Sequence, residues 1–126
     1  MKILIAAMLL VVAVIHLMPL IGVIGSNQLS SLYGLDFSEP NLARLMRHRA
    51  VLFGLLGTFF VVAAFKPALQ PAAFAVAFVS IVSFMVLARM TGGYNPHVAR
   101  IFVGDVVALV ALVIAVVAYV LVRRTG

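Results

Sequence analysis

The chain has 126 residues, 66% hydrophobic and 10% charged, with a formal charge of +6 and a mean hydropathy of +1.29. A water-soluble domain of this size would carry about a quarter charged residues, so lipid rather than water is the solvent its surface suits. Cysteine is absent, which excludes disulfides, thiolate catalysis, thiolate metal sites and iron–sulfur clusters. The positive charge forms no basic stripe with interleaved aromatics, so nucleic acid is not an expected partner.

Four apolar blocks predict an all-α fold, a bundle of four transmembrane helices forming a single integral membrane domain over residues 1–126. The first span covers residues 3–23, about 30 Å at roughly 1.5 Å per residue, one hydrocarbon thickness. It is longer than the apolar region of a secretory leader and contains His16 and Pro19, so an anchored span is expected rather than a cleaved one. The second span is predicted over 39–65, with Ser38 as cap, Glu39 at the positive helix end and Pro40 in the first turn. Its apolar part starts only at Ala50, so its beginning should protrude from the membrane. The third runs over 72–90 and stops at Thr91-Gly92-Gly93. The fourth runs over 96–122, with Asn95 as cap and Pro96 in the first turn. No Trp is present, which leaves Tyr33, Tyr94 and Tyr119 as the expected interfacial aromatics.

Helices in lipid associate through close backbone approach, which small residues permit. The fourth span carries Gly104, Ala108, Ala111, Ala115 and Ala118 at alternating steps of four and three. The second repeats the rhythm with Arg47, Ala50, Gly54, Gly57, Val61 and Ala64. Ala73, Ala77 and Ser80 in the third, and Ala6 and Ala13 in the first, are shorter versions. Such seams suit a compact bundle or a homo-oligomer, and pattern alone leaves both open.

Ionisable residues within membrane spans are costly and mark function by default. Chain direction places His16, Arg47, His48, Arg49, Arg89, His97, Arg100 and Asp105 at one membrane face, while the other half of the bundle is nearly pure hydrocarbon. The candidate ligand-binding residues are His16, Arg47, His48, Arg49, Arg89, Arg100 and Asp105. Arg47 heads the small-residue face and is expected to point inward. Asp105 should take up a proton or find a cation, Arg47 or Arg49 first and His16 second. His16, His48 and His97 lack metal-ligand spacing, and no catalytic residue is assigned. With even span number, both termini share a side holding Lys2, Lys66, Arg123 and Arg124, against Arg44, Arg47, Arg49, Arg89 and Arg100 opposite. Discounting arginines that belong to a packed site places the termini in the cytoplasm.

The pattern Arg49-x4-Gly54-x2-Gly57, followed by Arg89, Gly92-Gly93, Pro96 and Asp105, resembles the DoxX-like superfamily of small four-helix bacterial membrane proteins. The resemblance covers nearly the whole chain in span count and length. It implies a bacterial inner-membrane location and either an accessory subunit of a quinone-linked oxidoreductase or a site for a lipophilic ligand, quinone among the candidates. Many relatives have Glu where Asp105 stands.

Three functions are compatible with the residues. The first is binding of a lipophilic molecule with an anionic or carbonyl head: quinone, fatty acid or membrane lipid. The second is a redox subunit in which His16 and Asp105 relay a proton. The third is a structural partner in a membrane complex, using the seams as docking surface.

Overall fold

The computed structural model describes residues 1–93 and 95–125, leaving aside the side chains of Ser26 and Thr125. The helices are α1 (Lys2–Leu17), α2 (Ser26–Tyr33), α3 (Pro40–Phe65), α4 (Gln70–Thr91) and α5 (Pro96–Thr125), with 3-10 turns at Met18–Val23 and Pro67–Leu69. Four helical stretches are long and apolar enough to cross a membrane: Lys2–Val23, Pro40–Phe65, Pro67–Thr91 and Pro96–Arg124. Only 28–33% of each span's apolar window is buried inside the molecule. Ile3, Leu45, Phe65, Val79 and Met90 are among the large apolar side chains that point outward. An exposed apolar surface of this extent suits hydrocarbon, and the fold is that of a small integral membrane protein.

Each boundary has a local cause. Pro19 has no N–H to return to Ile15, so the first span cannot remain α-helical to its end and tightens into the 3-10 segment. At the start of α3 the cap is Glu39, whose carboxylate accepts from the Leu42 N–H at 2.7 Å. Ser38, the expected cap, instead binds Asp36 through both its N–H and its hydroxyl. Asn95 caps α5 as expected: its Oδ1 accepts from the Val98 N–H at 2.9 Å. Gly92, at φ +62°, closes α4.

The segment between the first two spans, to which the sequence reading assigned no element, contains α2. Its eight residues end at Gly34, which adopts the left-handed conformation at φ +65° and returns its N–H to Ser30. Leu29 and Tyr33, one helical turn apart, are buried with Phe37 against Leu32, Met46 and Ile101. The Asn95 side-chain amide also donates to the Tyr33 carbonyl at 2.8 Å, tying the end of α2 to the start of α5. Tyr33 is therefore an internal residue rather than an interfacial one. Tyr119 is half-buried, packing edge-on against Phe74 while its hydroxyl accepts from Arg123. Tyr94 lies outside the described residues.

α1 packs extensively on α3 and on α5; α4 packs mainly on α5 and closes the ring loosely against α3. α1 and α4 thus sit across the bundle from one another. The seams are spent inside this arrangement. Ala108, Ala111, Ala115 and Ala118 are buried, as are Ala50, Gly54, Gly57, Ala64, Ala73, Ala77 and Ala13. At Gly57 a Cβ would lie 3.2 Å from the Ala13 carbonyl oxygen and 2.5 Å from Leu17 Cγ, so the α1–α3 approach requires glycine there.

Candidate functional site

A cavity of about 250 Å³ lies at the end of the bundle opposite the termini. Every helix contributes. α1 and its 3-10 extension supply Ile15, His16, Met18 and Pro19; α2 supplies Ser31, Leu32 and Tyr33. Arg49 and Phe53 come from α3, Ser80 and Phe84 from α4, and His97, Arg100, Ile101, Gly104 and Asp105 from α5. Its walls are largely hydrocarbon and aromatic, with a few convergent polar groups, the composition of a small-molecule site.

His16 is 2% exposed, and both ring nitrogens are engaged. Nδ1 lies 3.0 Å from the Val12 carbonyl one turn back, and Nε2 lies 2.9 Å from Ser80 Oγ on α4. A carbonyl only accepts, so Nδ1 is the donor, and Nε2 of the neutral ring accepts from the Ser80 hydroxyl. The imidazole also packs edge-on against Phe60 and tilts over Phe53. Hydroxyls elsewhere in the spans behave differently. Thr58, Ser83 and Thr91 return their protons to carbonyls of their own helix, the usual way a hydroxyl is satisfied in lipid. Ser80 reaches across the bundle.

Arg49 is half-buried and held in three ways. Its Nη1 donates to the Tyr33 hydroxyl, its guanidinium sits 4.6 Å from the Phe53 ring centroid, and it lies 5.4 Å from that of Tyr33. Stacking on two aromatic faces stabilises a cation that is only partly hydrated. Asp105, two turns and a half into α5, is also half-buried and lies within range of the Arg49 charge. The two do not touch: among the described residues no ion pair closer than 4.0 Å forms. The expected Asp–Arg clasp is absent, because Tyr33 and Phe53 fix Arg49 on its own side of the cavity.

The remaining expected residues divide. Arg100 reaches the rim of the cavity and is exposed. Arg47, expected to point inward, is exposed and donates from Nε to the Val23 carbonyl at 2.8 Å. The carbonyl at the end of the 3-10 segment lacks a helical partner and captures it; the buried seam of α3 begins one turn later, at Ala50. His48 is exposed on a separate surface groove with Arg44 and Arg47. Arg89 is exposed near the end of α4, outside the cavity. His16 and Asp105 line one cavity without a hydrogen bond between them, since both nitrogens of His16 are used elsewhere.

Tyr33, Ser80 and His97 belong to the site although the sequence patterns did not select them. His97 was visible among the polar residues of this face, and Ser80 counted only as a small residue of the α4 seam. A signal for α2 was present: Leu29, Leu32 and Tyr33 share one helical face between Gly25 and Gly34. Likewise, Arg49, Phe53 and Phe60 fall on one stripe of α3 at steps of four and seven, distinct from the small-residue face.

Among the described residues, no three of His, Asp and Glu gather in an arrangement that could hold a metal ion. No known protein family, no curated protein and no solved structure matches this chain.

Proposed function

We propose that this membrane protein binds a lipophilic molecule by its anionic or carbonyl head, in the cavity at the polar end of the bundle. The observation that carries the reading is Arg49, a half-buried guanidinium that lines an apolar-walled cavity of about 250 Å³ and is anchored by Tyr33 and Phe53 of the same wall. An arginine there to meet lipid phosphates would reach outward to the interface. Arg49 instead is fixed and turned inward, with donors to spare. A cavity this small accommodates a head group, and the apolar remainder of the ligand would stay against the hydrocarbon-facing surface.

The assembly role loses its docking surface, because the α5 seam from Ala108 to Ala118 is buried within one chain. The redox-subunit role would make the occupant a quinone, whose carbonyl oxygens Arg49 could also meet. It rests on the DoxX-like resemblance at Arg49, Gly54, Gly57, Arg89 and Asp105, and the geometry offers no direct His16–Asp105 relay in its support.

Mass spectrometry of the intact protein after mild detergent extraction tests the reading. Wild-type protein should retain one lipophilic molecule per chain, and Arg49→Gln should lose it while keeping its helical circular dichroism. Bare wild-type protein, or equal retention by the variant, would overturn it.

A further inference from the structure

The polar groups of the cavity also narrow the chemistry of the head, granted the binding reading above. Arg49 spends one N–H on the Tyr33 hydroxyl, and among the described residues its other guanidinium donors meet no protein acceptor. Asp105 presents a carboxylate to the same cavity, and no donor of the described residues lies within hydrogen-bonding distance of it. An unsatisfied cation and an unsatisfied anion thus face one cavity without closing on each other. Direct pairing would satisfy both, but Tyr33 of α2 and Phe53 of α3 hold one and the α5 backbone holds the other. Their free atoms open onto the cavity rather than into packed protein, so an occupant meets a ready donor on one side and a ready acceptor on the other.

The bridge must accept hydrogen bonds at one end and donate at the other. A fatty-acid carboxylate only accepts, and its charge would sit beside that of Asp105. A quinone only accepts as well. We infer that the cavity takes the head group of a glycerophospholipid whose polar end carries a hydrogen-bond donor: a phosphate oxygen on Arg49, and an ethanolamine N–H or glycerol O–H on Asp105. Arg100 at the rim supplies a second cation for the phosphate. The volume agrees, since about 250 Å³ is many times the roughly 10–15 Å³ that a cavity needs to hold one water, room for a polar head rather than a single solvent molecule.

The test uses delipidated full-length protein in detergent, titrated with phosphatidylethanolamine, phosphatidylglycerol and phosphatidylcholine of identical acyl chains and read by native mass spectrometry. Choline carries charge but no N–H or O–H. The first two lipids should bind at least about tenfold more tightly than phosphatidylcholine, the effect of one hydrogen bond to a charged group. A preference between those two supports the inference and identifies the donor. Asp105→Ala should abolish the discrimination against choline, and Arg49→Gln should weaken all three lipids. Asp105→Asn, which keeps an acceptor of the same shape, serves as the folded control should the alanine variant lose its helical signal, and should retain discrimination for the glycerol head. Equal binding of all three lipids by the wild type overturns the donor requirement, while the head-binding reading stands if Arg49→Gln still weakens them. Saturable binding of none of them, together with bare wild-type protein from the membrane, overturns both.

Discussion

His16 on α1 and Ser80 on α4 are joined by a hydrogen bond of 2.9 Å across the diagonal of the bundle, between two helices that otherwise make little contact. The bond lies at the floor of the cavity, where Phe53 and Phe60 enclose the imidazole. It therefore links stability of the bundle to the shape of the site. Ser80→Ala removes the hydroxyl and leaves Nε2 of a buried imidazole without its protein partner. A double-mutant cycle with His16→Phe, followed by unfolding in detergent, should give a coupling energy of about 0.5–1.5 kcal/mol, in the range measured for polar pairs between membrane helices. Additive effects would show that the bond contributes nothing.

The close approach of α1 and α3 at Gly57 gives a sharper test of packing. An alanine Cβ there meets Leu17 Cγ at 2.5 Å and the Ala13 carbonyl at 3.2 Å, whereas at Gly104 nothing lies within 4 Å. Gly57→Ala should destabilise the protein by about 1–3 kcal/mol. Gly104→Ala should be neutral or slightly stabilising, since alanine is the better helix former by about 1 kcal/mol. Melting temperatures of the two variants in one detergent check this, and equal shifts would contradict the packing described.

Gly34 couples the short helix α2 to the cavity. Its φ of +65° disfavours any side chain, and a Cβ would lie 2.5 Å from His97 Nδ1. Gly34→Ala should cost about 1–2 kcal/mol in backbone strain and displace His97 from the cavity wall. Hydrogen exchange should then accelerate in residues 26–33 and leave α4 unchanged. Uniform protection would show that α2 does not depend on this turn.

Asp105→Asn discriminates between a structural ion pair and a ligand site. A buried pair that loses one partner costs several kcal/mol. Here no partner lies within 4.0 Å among the described residues, so the variant should leave the stability of delipidated protein unchanged within about 0.5 kcal/mol. A loss of several kcal/mol in thermal unfolding would mean that Asp105 is clasped after all.

How much of this was legible in the sequence depends on the scale of the signal. The four spans were readable because hydrocarbon thickness imposes a run of about 20 apolar residues, and the ends were marked by Pro40, Gly92-Gly93 and Asn95-Pro96. The seams were readable because small residues recur at steps of three and four. The site was half-readable. His16, Arg49, Arg100 and Asp105 stood out as charges or imidazoles in apolar surroundings, and the structure gathers them around one cavity. Arg47 was misplaced because the repeat that buries Ala50 and Gly54 does not extend to the end of the 3-10 segment, where the Val23 carbonyl waits. Tyr33 and Ser80 were missed because tyrosine near an interface and serine in a seam each have an ordinary use. Only three-dimensional proximity to Arg49 and His16 gives them another.

The same division of the arginines yields a prediction of orientation. With Arg49 and Arg100 assigned to the cavity, Arg44, Arg47 and Arg89 oppose Lys2, Lys66, Arg123 and Arg124. The positive-inside rule then predicts both termini in the cytoplasm and the cavity at the outer leaflet. The absence of native cysteine makes a labelling test clean. Cysteines at Lys2 and Lys66 should react only after the membrane is permeabilised, and cysteines at Asp36 and Gly92 should react in intact cells. The reverse pattern would invert the assignment.

The most direct measurement is a crystal structure grown from a lipidic phase, with non-protein density sought between α3 and α5. A bound head within hydrogen-bonding distance of the Arg49 guanidinium, with its tail leaving toward the hydrocarbon-facing surface, is the result this account requires. Arg49 turned out to the interface, or a cavity holding only ordered water beside it, would contradict it.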